Sequence, residues 1–395
     1  MTILKAYPKI TDLINDIFGT SLNLPIYSFG FFVGMAFLIA MFVLSSELKR
    51  RYALGIFEGY KSKLTVGEPA KPMDIILNLI IGFVFGFKAL AAAQNWDLFV
   101  DNPQEFLFSG TGSVIGGIIG AIALAGYTYY QKQKKKLDPP VVKEVKLYPH
   151  QLIGEIVTVA MISGVLGSKV FYWFESPGNF SEFLNDPLGT FFSGLTIYGG
   201  LTFGALSLLI YSYLRKIKIP HLFDALAPSF MLAYGIGRIG CQVSGDGDWG
   251  IPNPNPKPDW IPQFLWSDRY ENNIGQRCCY SDSTFCDCNW AETPYLVDAV
   301  YPTPIYEFMM ASVLFLILWS LRKKLTIFPG LLFGVFLIFN GVERFLIEKI
   351  RVNTKLDFLG MQLTQAEIVS TSVVIIGVAL SVYIYMRNRQ KSTSS

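Results

Sequence analysis

The chain contains 395 residues with a formal net charge of +3, and 51% of its residues are hydrophobic whereas only 16% are charged. Its mean hydropathy of +0.38 is too high for an ordinary soluble domain of this length, so composition excludes that class. We therefore expect an all-α polytopic protein that is integral to a membrane.

Nine apolar segments are long enough to cross the roughly 30 Å hydrocarbon core, which takes about 20 helical residues. In chain order they lie at residues 26–46, 73–93, 110–130, 151–173, 190–213, 222–242, 303–321, 328–347 and 365–386. Several contain glycine runs such as GSVIGGIIGAIA, which allow membrane helices to approach closely. The sequence thus predicts about nine transmembrane helices in a single membrane domain, residues 1–395.

Lysine and arginine collect on alternate sides of these spans, in ELKRRY, QKQKKK, RKIK, LRKK and RNRQK. Because cytoplasmic loops carry the excess of Lys and Arg, the N-terminus is predicted outside and the C-terminus in the cytoplasm. The first 25 residues lack a charged region followed by a small-residue cleavage site, so we expect the first span to be retained.

Residues 73–130 are predicted to be a duplicated, extra hairpin. FGFKALAAA and FSGTGSVIGGIIGAIAL resemble LGSKVFYWF and FSGLTIYGGLTFGALSL further along the chain, although generic glycine-rich hairpins would also give this pattern. The alignment pairs Lys88 with Lys169, Ser109-Gly110 with Ser193-Gly194, and Val114 with Tyr198.

A Pro- and Cys-rich outer loop spans residues 243–302. Cys278, Cys279, Cys286 and Cys288 lie in a compartment that permits oxidation, so up to two disulfides are possible, in three pairings. A zinc site is the less favoured alternative because no histidine is near and the spacings do not fit a common tetrahedral pattern. Free thiols are the third alternative.

Ionisable residues inside the spans are candidates for function, because a charge there costs about 2.5 to 3.5 kcal/mol on insertion scales. Arg344, Glu348 and Arg351 share one helix face, and Arg238, Glu307 and Lys169 are predicted at a similar depth. Snorkelling to the headgroups is the alternative for the cations. Four helices thus converge at one depth with cations in excess. This favours a binding site for an anionic headgroup that carries a phosphate.

Tyr198 precedes Gly199 and Gly200, which favours a cleft over a simple aromatic-belt anchor. GDGDWG after Arg238 is too short for a calcium loop and lacks a distal glutamate. No nucleotide loop occurs, and the two histidines, His150 and His221, lie at predicted cytoplasmic boundaries. We expect no cofactor, no metal and no nucleic-acid partner.

Five motifs in chain order resemble those of the bacterial prolipoprotein diacylglyceryl transferase family. YSFGFFVGMAFLIA with ELKRR resembles the first span, and LFDALAPSFMLAYGIGRIG the region whose core reads GRxGNxxNxE. YPTPIYE is similar to HPSQLYE, GVERFLIEKIR to RFxxExxR, and LTQAEIVS to TxGQ. The resemblance implies an inner-membrane enzyme, active at the periplasmic face, that transfers diacylglyceryl from phosphatidylglycerol to the lipobox cysteine of a preprolipoprotein signal peptide, giving a thioether and glycerol phosphate.

The resemblance also implies roles for individual residues. Its two essential arginines fall on Arg238 and Arg344, which would bind the lipid phosphate, with Glu307, Glu348 and Asp246 orienting them. The expected catalytic residues are Arg238, Arg344, Tyr198 and Asp246. The expected substrate-binding residues are Glu307, Glu348, Arg351, Tyr306, Lys169, Gly199, Gly200 and Ser244.

The chain departs from the family pattern at several positions. Tyr198 stands at the histidine of HGG, Cys241 and Ser244 at the two signature asparagines, and Phe29 at the first-span tyrosine. Tyrosine, with a reference pKa of about 10, is a poor general base, so Tyr198 only positions substrate or the thiol loses its proton otherwise. A catalytically degenerate lipoprotein- or lipid-binding relative and a lipid or anion transporter are the alternative functions.

Overall fold

The computed structural model describes residues 5–101, 103–175, 177–185, 196–281, 286, 288–353, 355–358 and 360–393. Its helices are α1 (Ile10–Phe18), α2 (Ser28–Ala53), α3 (Pro72–Gln94), α4 (Trp96–Asp101), α5 (Pro103–Phe108), α6 (Val114–Lys134), α7 (Ile153–Glu175), α8 (Pro177–Asn185), α9 (Ile197–Leu214), α10 (Ile219–Ser244), α11 (Gln263–Trp266), α12 (Thr303–Leu321), α13 (Leu331–Glu348) and α14 (Gln365–Thr393). Its strands are β1 (Tyr60–Val66), β2 (Val141–Leu147), β3 (Lys355–Phe358) and β4 (Met361–Thr364).

Among the described residues, six helices are long and apolar enough to cross a membrane: α2, α3, α6, α7, α12 and α14. The prediction of an all-α polytopic membrane protein is therefore confirmed. Every predicted span carries a helix, although the beginning of the fifth, residues 190–195, lies outside the described residues. The number of crossings and their orientation stay predictions.

The chain forms two compact units. The first unit comprises Met1–Leu54 and Lys218–Ser395, and the second comprises Gly55–Ile217. The assignment of a single membrane domain stays a prediction.

Helix α10 organises the first unit, because α2, α12 and α13 all pack against it, and α14 packs against α13. Ala227 and Met231 of α10 form a buried core with Ala311, Leu318 and Leu332 from α12 and α13. Strands β3 and β4 form an antiparallel hairpin that leads into α14.

Glycine allows α2 to approach α10 beside Arg238. A Cβ atom at Gly240 would lie 3.0 Å from Cβ of Phe32 and 3.3 Å from Cα of Phe29, whereas Gly237 has open space around it. Gly240 is therefore the position beside Arg238 at which another backbone approaches closely.

The outer loop folds on a small core of its own. Trp249, Tyr270, Leu296 and Val300 are buried together, and the Trp249 indole N–H donates to the Tyr280 carbonyl at 2.9 Å. The four loop cysteines form two disulfides, Cys278–Cys288 and Cys279–Cys286. Of the three pairings left open by the sequence, the structure has this one.

The second unit contains two helical hairpins with equivalent packing, α3 with α6 and α7 with α9. A Cβ at Gly116 would collide with the carbonyl oxygen of Gly86, and one at Gly199 with that of Gly167. Gly86 aligns with Gly167 in the predicted repeat, so both hairpins have a glycine at this contact. The predicted pairing of Val114 with Tyr198 stays a prediction.

Strands β1 and β2 complete the second unit as an antiparallel pair in which Tyr60 lies opposite Leu147. The repeat partner of Lys88, Lys169, has the same helical position, since each follows its contact glycine by two residues. Lys88 donates to the carbonyl oxygens of Phe106, Ser109 and Thr111 at 2.6 to 2.9 Å. Ser193 and Gly194 lie outside the described residues, and duplication of residues 73–130 stays a prediction.

Candidate active site

Helix α10 ends in a turn that places Asp248 beside Arg238. The helix stops because Gly245 adopts a left-handed conformation (φ 62°), and Gly247 again has positive φ (101°), which favours glycine. The loop is then fixed to neighbouring segments: the Thr303 hydroxyl donates to the Asp248 carbonyl at 2.7 Å, and the Ile251 N–H donates to the Ile350 carbonyl at 2.9 Å.

Three helices and this loop bring together a group of ionisable side chains, called here the arginine cluster. Helix α10 contributes its last turns, α12 its first turn, and α13 its last turns together with the residues directly after it. The cluster consists of Tyr234, Arg238, Asp248, Glu307, Glu343, Arg344, Glu348 and Arg351.

Glu307 lies at the centre of the arginine cluster and is fully buried. Its Oε2 lies 3.3 Å from Nε of Arg238, and its Oε1 lies 3.6 Å from Nη1 of Arg344 and 3.5 Å from Nη1 of Arg351. Three cations drawn towards one carboxylate would repel one another without it, so Glu307 holds the arginines together.

Asp248 forms ion pairs with two of these arginines, Arg238 and Arg351. It forms an ion pair with Arg238 through one oxygen and accepts a hydrogen bond from Nη2 of Arg351 at 2.5 Å through the other. Desolvation opposes ionisation of Asp248, but the guanidinium groups of Arg351 and Arg238 outweigh it and lower the pKa of Asp248 to about 2. Asp248 is therefore charged at any physiological pH.

The prediction of a cation excess does not hold within the described residues of the first unit. Three arginines face four carboxylates, because Asp248 and Glu343 join Glu307 and Glu348. Lys169, counted as the fourth cation, belongs to the second unit.

Three guanidinium nitrogens of the cluster are buried and make ion-pair contacts at most, without a hydrogen bond. Among the described residues, Nη1 of Arg344 and both Nε and Nη1 of Arg351 have no hydrogen-bond partner. Each buried, unpaired donor costs about 1 to 3 kcal/mol. These groups are suited to binding an anion with several acceptor oxygens, which is what a phosphate provides.

The other predicted residues of the signature region lie close to the arginine cluster but make different contacts. The exposed Asp246 accepts the Asp248 N–H at 3.2 Å, and no described arginine nitrogen lies within 4 Å of its carboxylate, so Asp248 occupies the orienting position expected of Asp246. Ser244 is buried, with its hydroxyl 3.5 Å from the Cys241 carbonyl. The Tyr306 hydroxyl donates to the Leu265 carbonyl at 2.7 Å and so anchors the outer loop.

Tyr198, Gly199, Gly200 and Lys169 all belong to the second unit. Gly199 faces α7, as described above, and a Cβ at Gly200 would lie 2.6 Å from the hydroxyl of Ser168. Lys169 is 1% exposed, with its Nζ 4.8 Å from the ring centroid of Tyr172. Tyr198 is half-buried in the first turn of α9. The roles expected of these four residues stay predictions.

Sequence reasoning assigned no site role to Asp248, Glu343 or Tyr234. Tyr234 lies one turn before Arg238 and therefore on the same helix face, and its ring centroid is 5.2 Å from the Arg238 guanidinium carbon. Helical spacing was thus a usable signal for Tyr234. Nothing in the sequence distinguishes Asp248 from Asp246, since both lie in the same glycine-rich turn.

Fold and site together define a polytopic helical membrane protein with a buried arginine and carboxylate site that is suited to a phosphate-bearing ligand. The family model for prolipoprotein diacylglyceryl transferase matches residues 141–383, which include all the residues of the arginine cluster. This chain belongs to the prolipoprotein diacylglyceryl transferase family.

Relatives of known name agree with this family. The chain is 27% identical over 240 residues to a phosphatidylglycerol–prolipoprotein diacylglyceryl transferase of Streptococcus uberis. The aligned region covers 60% of this chain and 79% of that protein. It is 28% identical over 243 residues to a protein of the same name from Streptococcus pyogenes serotype M5, which covers 61% of this chain and 81% of that protein.

Proposed function

We propose that this chain transfers the diacylglyceryl group of phosphatidylglycerol to the cysteine thiol of a prolipoprotein, the first step of lipoprotein maturation. Family membership and the names of the Streptococcus relatives support this reaction. The observation that carries it is the set of buried guanidinium nitrogens on Arg344 and Arg351 that make no hydrogen bond among the described residues, although Nη1 of each is ion-paired with Glu307.

Arg238 and Arg344 bind the phosphate in this proposal, and Arg351 assists them. Arg238 lies within 3.3 Å and Arg344 within 3.6 Å of the same carboxylate, that of Glu307, so neither side chain has to be ordered when the lipid arrives. Preorganised donors of this kind stabilise charge in the transition state without a reorganisation cost.

The reaction replaces a carbon–oxygen bond by a carbon–sulfur bond. The thiolate sulfur attacks the glyceryl carbon that carries the phosphate, and the electron pair of the breaking C–O bond goes to the phosphate oxygen. Negative charge thus builds up on the group that the arginines hold, and glycerol phosphate leaves. The thioether remains on the prolipoprotein.

The protein is proposed to lie in the bacterial inner membrane with the arginine cluster towards the periplasm. The alternation of Lys- and Arg-rich segments between the spans supports this orientation. In the same proposal, the acceptor thiol belongs to the lipobox cysteine of a preprolipoprotein signal peptide.

A mass measurement tests the proposed function. Purified full-length protein is incubated with phosphatidylglycerol vesicles and a synthetic lipobox peptide, and released glycerol phosphate is followed in parallel. We expect a diacylglyceryl mass on the peptide cysteine and an equal amount of glycerol phosphate. A peptide that binds but gains no mass would overturn the proposal and indicate a catalytically degenerate relative.

A further inference from the structure

Glu343 differs from the other carboxylates of the arginine cluster. Asp248, Glu307 and Glu348 each have a guanidinium nitrogen within 3.6 Å. Glu343 is 2% exposed, yet no lysine or arginine nitrogen lies within 4 Å of it in the part of the chain that the structure describes. Among the described residues, its hydrogen-bond partner is the Tyr234 hydroxyl, 3.3 Å from both of its oxygens.

The Tyr234 hydroxyl connects Glu343 to the centre of the cluster. It lies 3.0 Å from Oε1 of Glu307, and the Tyr234 ring lies below the Arg238 guanidinium. A phosphate bound between Arg238 and Arg344 would therefore place the reacting groups of the substrates beside this hydroxyl. Tyrosine can donate one hydrogen bond and accept another, so it can pass a proton on.

Charge balance favours a proton on Glu343 once the reaction has occurred. The three arginines balance Asp248, Glu307 and Glu348, which leaves the charge of the fourth carboxylate, the buried Glu343, without a balancing cation. A bound phosphate adds further negative charge. A buried carboxylate without a cation is costly, and taking up a proton removes that cost.

Charged and titratable groups on three helices interact with Glu343: Tyr234 and Arg238 on α10, Glu307 on α12, and the adjacent Arg344 on α13 itself. On α14, the acidic group of the first turn is Glu367, which pairs with Lys349. Within the first unit, the described histidine, His221, lies 3.1 Å from Arg51 near the start of α10. The unit thus brings no imidazole into the cluster.

We infer that Glu343, through the Tyr234 hydroxyl, takes up the proton of the acceptor thiol; this inference rests on the proposed function. The thiol proton moves to the Tyr234 oxygen while the Tyr234 proton moves to Glu343. The sulfur then forms its bond to the glyceryl carbon, and the C–O bond electrons leave with the phosphate. After product release Glu343 returns its proton to water. Tyr234 would be the catalytic residue in contact with substrate, and Glu343 acts through it.

Kinetics of Glu343→Gln and Tyr234→Phe as a function of pH test the inference. For Glu343→Gln we expect kcat at pH 7 to fall about 100-fold or more, as for loss of a general base, with the KM for phosphatidylglycerol within about threefold of wild type. Turnover should then rise by nearly tenfold per pH unit towards pH 8.5, because the free thiol, with a pKa of about 8.5, ionises by itself. Tyr234→Phe should behave in the same way, and Glu343→Asp should recover part of the loss.

Glu292→Gln, an exposed carboxylate-to-amide change in the outer loop, serves as the matched control and should leave the pH profile unchanged. Turnover of Glu343→Gln within threefold of wild type, or a loss that high pH does not recover, would overturn the inference. If Glu343→Gln does not fold, Tyr234→Phe, which removes a single hydroxyl, decides the question. Absence of transfer by the wild-type protein would instead contradict the proposed function itself.

Discussion

The first unit contains a second buried ionic group, and comparing it with the arginine cluster shows how differently the same residue types can be used. This second group, called here the Glu47 cluster, lies near the start of α10 and the end of α12, whereas the arginine cluster lies at their opposite ends. It consists of Glu47, Arg50, Arg51, His221, Asp224 and Arg322.

Hydrogen bonds in the Glu47 cluster are close to complete. Glu47 accepts from Arg50 at 2.6 and 2.8 Å, from Arg51 at 2.7 Å and from Arg322 at 3.1 Å. Asp224 accepts the backbone N–H groups of Gly330 and Phe333 at the start of α13, at 2.9 and 3.0 Å. Among its described guanidinium nitrogens, only Nη2 of Arg51 is buried without a partner.

The difference separates a structural ion network from a binding site. A network whose donors and acceptors are satisfied fixes the helices that carry it, and adding a ligand would gain little. The arginine cluster keeps several buried guanidinium donors without a hydrogen bond, which costs stability in the free protein and is recovered when an anion binds. Four experiments test this distinction.

Glu47→Gln should give the largest effect. It leaves the fully buried Arg51 and its neighbours without their shared carboxylate, and breaking such a buried pair costs about 3 to 5 kcal/mol in the free energy of unfolding. Denaturant unfolding in detergent, with Glu292→Gln as control, measures this change. Transfer per folded molecule should stay within about twofold of wild type. A larger loss of turnover per folded molecule would contradict a purely structural role for the Glu47 cluster.

Arg344→Gln should instead lower turnover per folded molecule. Removing one buried charge contact to the substrate costs about 2 to 5 kcal/mol of binding free energy, so kcat/KM should fall roughly 30-fold or more. The free energy of unfolding should fall as well, because the buried Glu348 loses its cation. Arg344→Lys should not restore full activity, because a lysine cannot bind two phosphate oxygens in one plane. Wild-type kinetics in the Arg344→Gln variant would show that Arg344 does not bind the substrate.

Asp248→Asn should reduce kcat/KM by about tenfold, because Arg238 and Arg351 lose the carboxylate that aligns them. The pKa of Asp248 is lowered from 3.8 to about 2, so its contribution is complete above pH 4 and disappears only as the pH falls towards 2. The ratio of wild-type to variant activity should therefore be constant between pH 5 and 8. A ratio that changes in this range would show that another group titrates against Asp248.

Thr326→Val should give the smallest effect. Its hydroxyl accepts a hydrogen bond from Nη2 of Arg50 at 2.9 Å and donates one to the Arg322 carbonyl at 2.6 Å. Loss of these bonds should lower the free energy of unfolding by about 1 kcal/mol and leave turnover unchanged. A change of several kcal/mol would mean that the Glu47 cluster depends on far more than its ion pairs.

The helical membrane class, the helix in each predicted span and the arginines of the site can all be predicted from the sequence. Apolar length, helical spacing and glycine content are local properties, and they place Arg344 and Glu348 on one face before any tertiary contact is known. The family motifs pointed to Arg238 and Glu307, which the structure brings within 3.3 Å of each other.

Tertiary structure alone decided which carboxylate meets which arginine. Asp248, and not Asp246, reaches Arg238 because the Gly245 and Gly247 turns and the Thr303 contact set the direction of the loop. In the same way, the packing of α10 against α13 places the Tyr234 hydroxyl, and no guanidinium group, at hydrogen-bond distance from Glu343 within the described residues. These outcomes depend on how separate helices and a loop pack together, which local sequence does not specify.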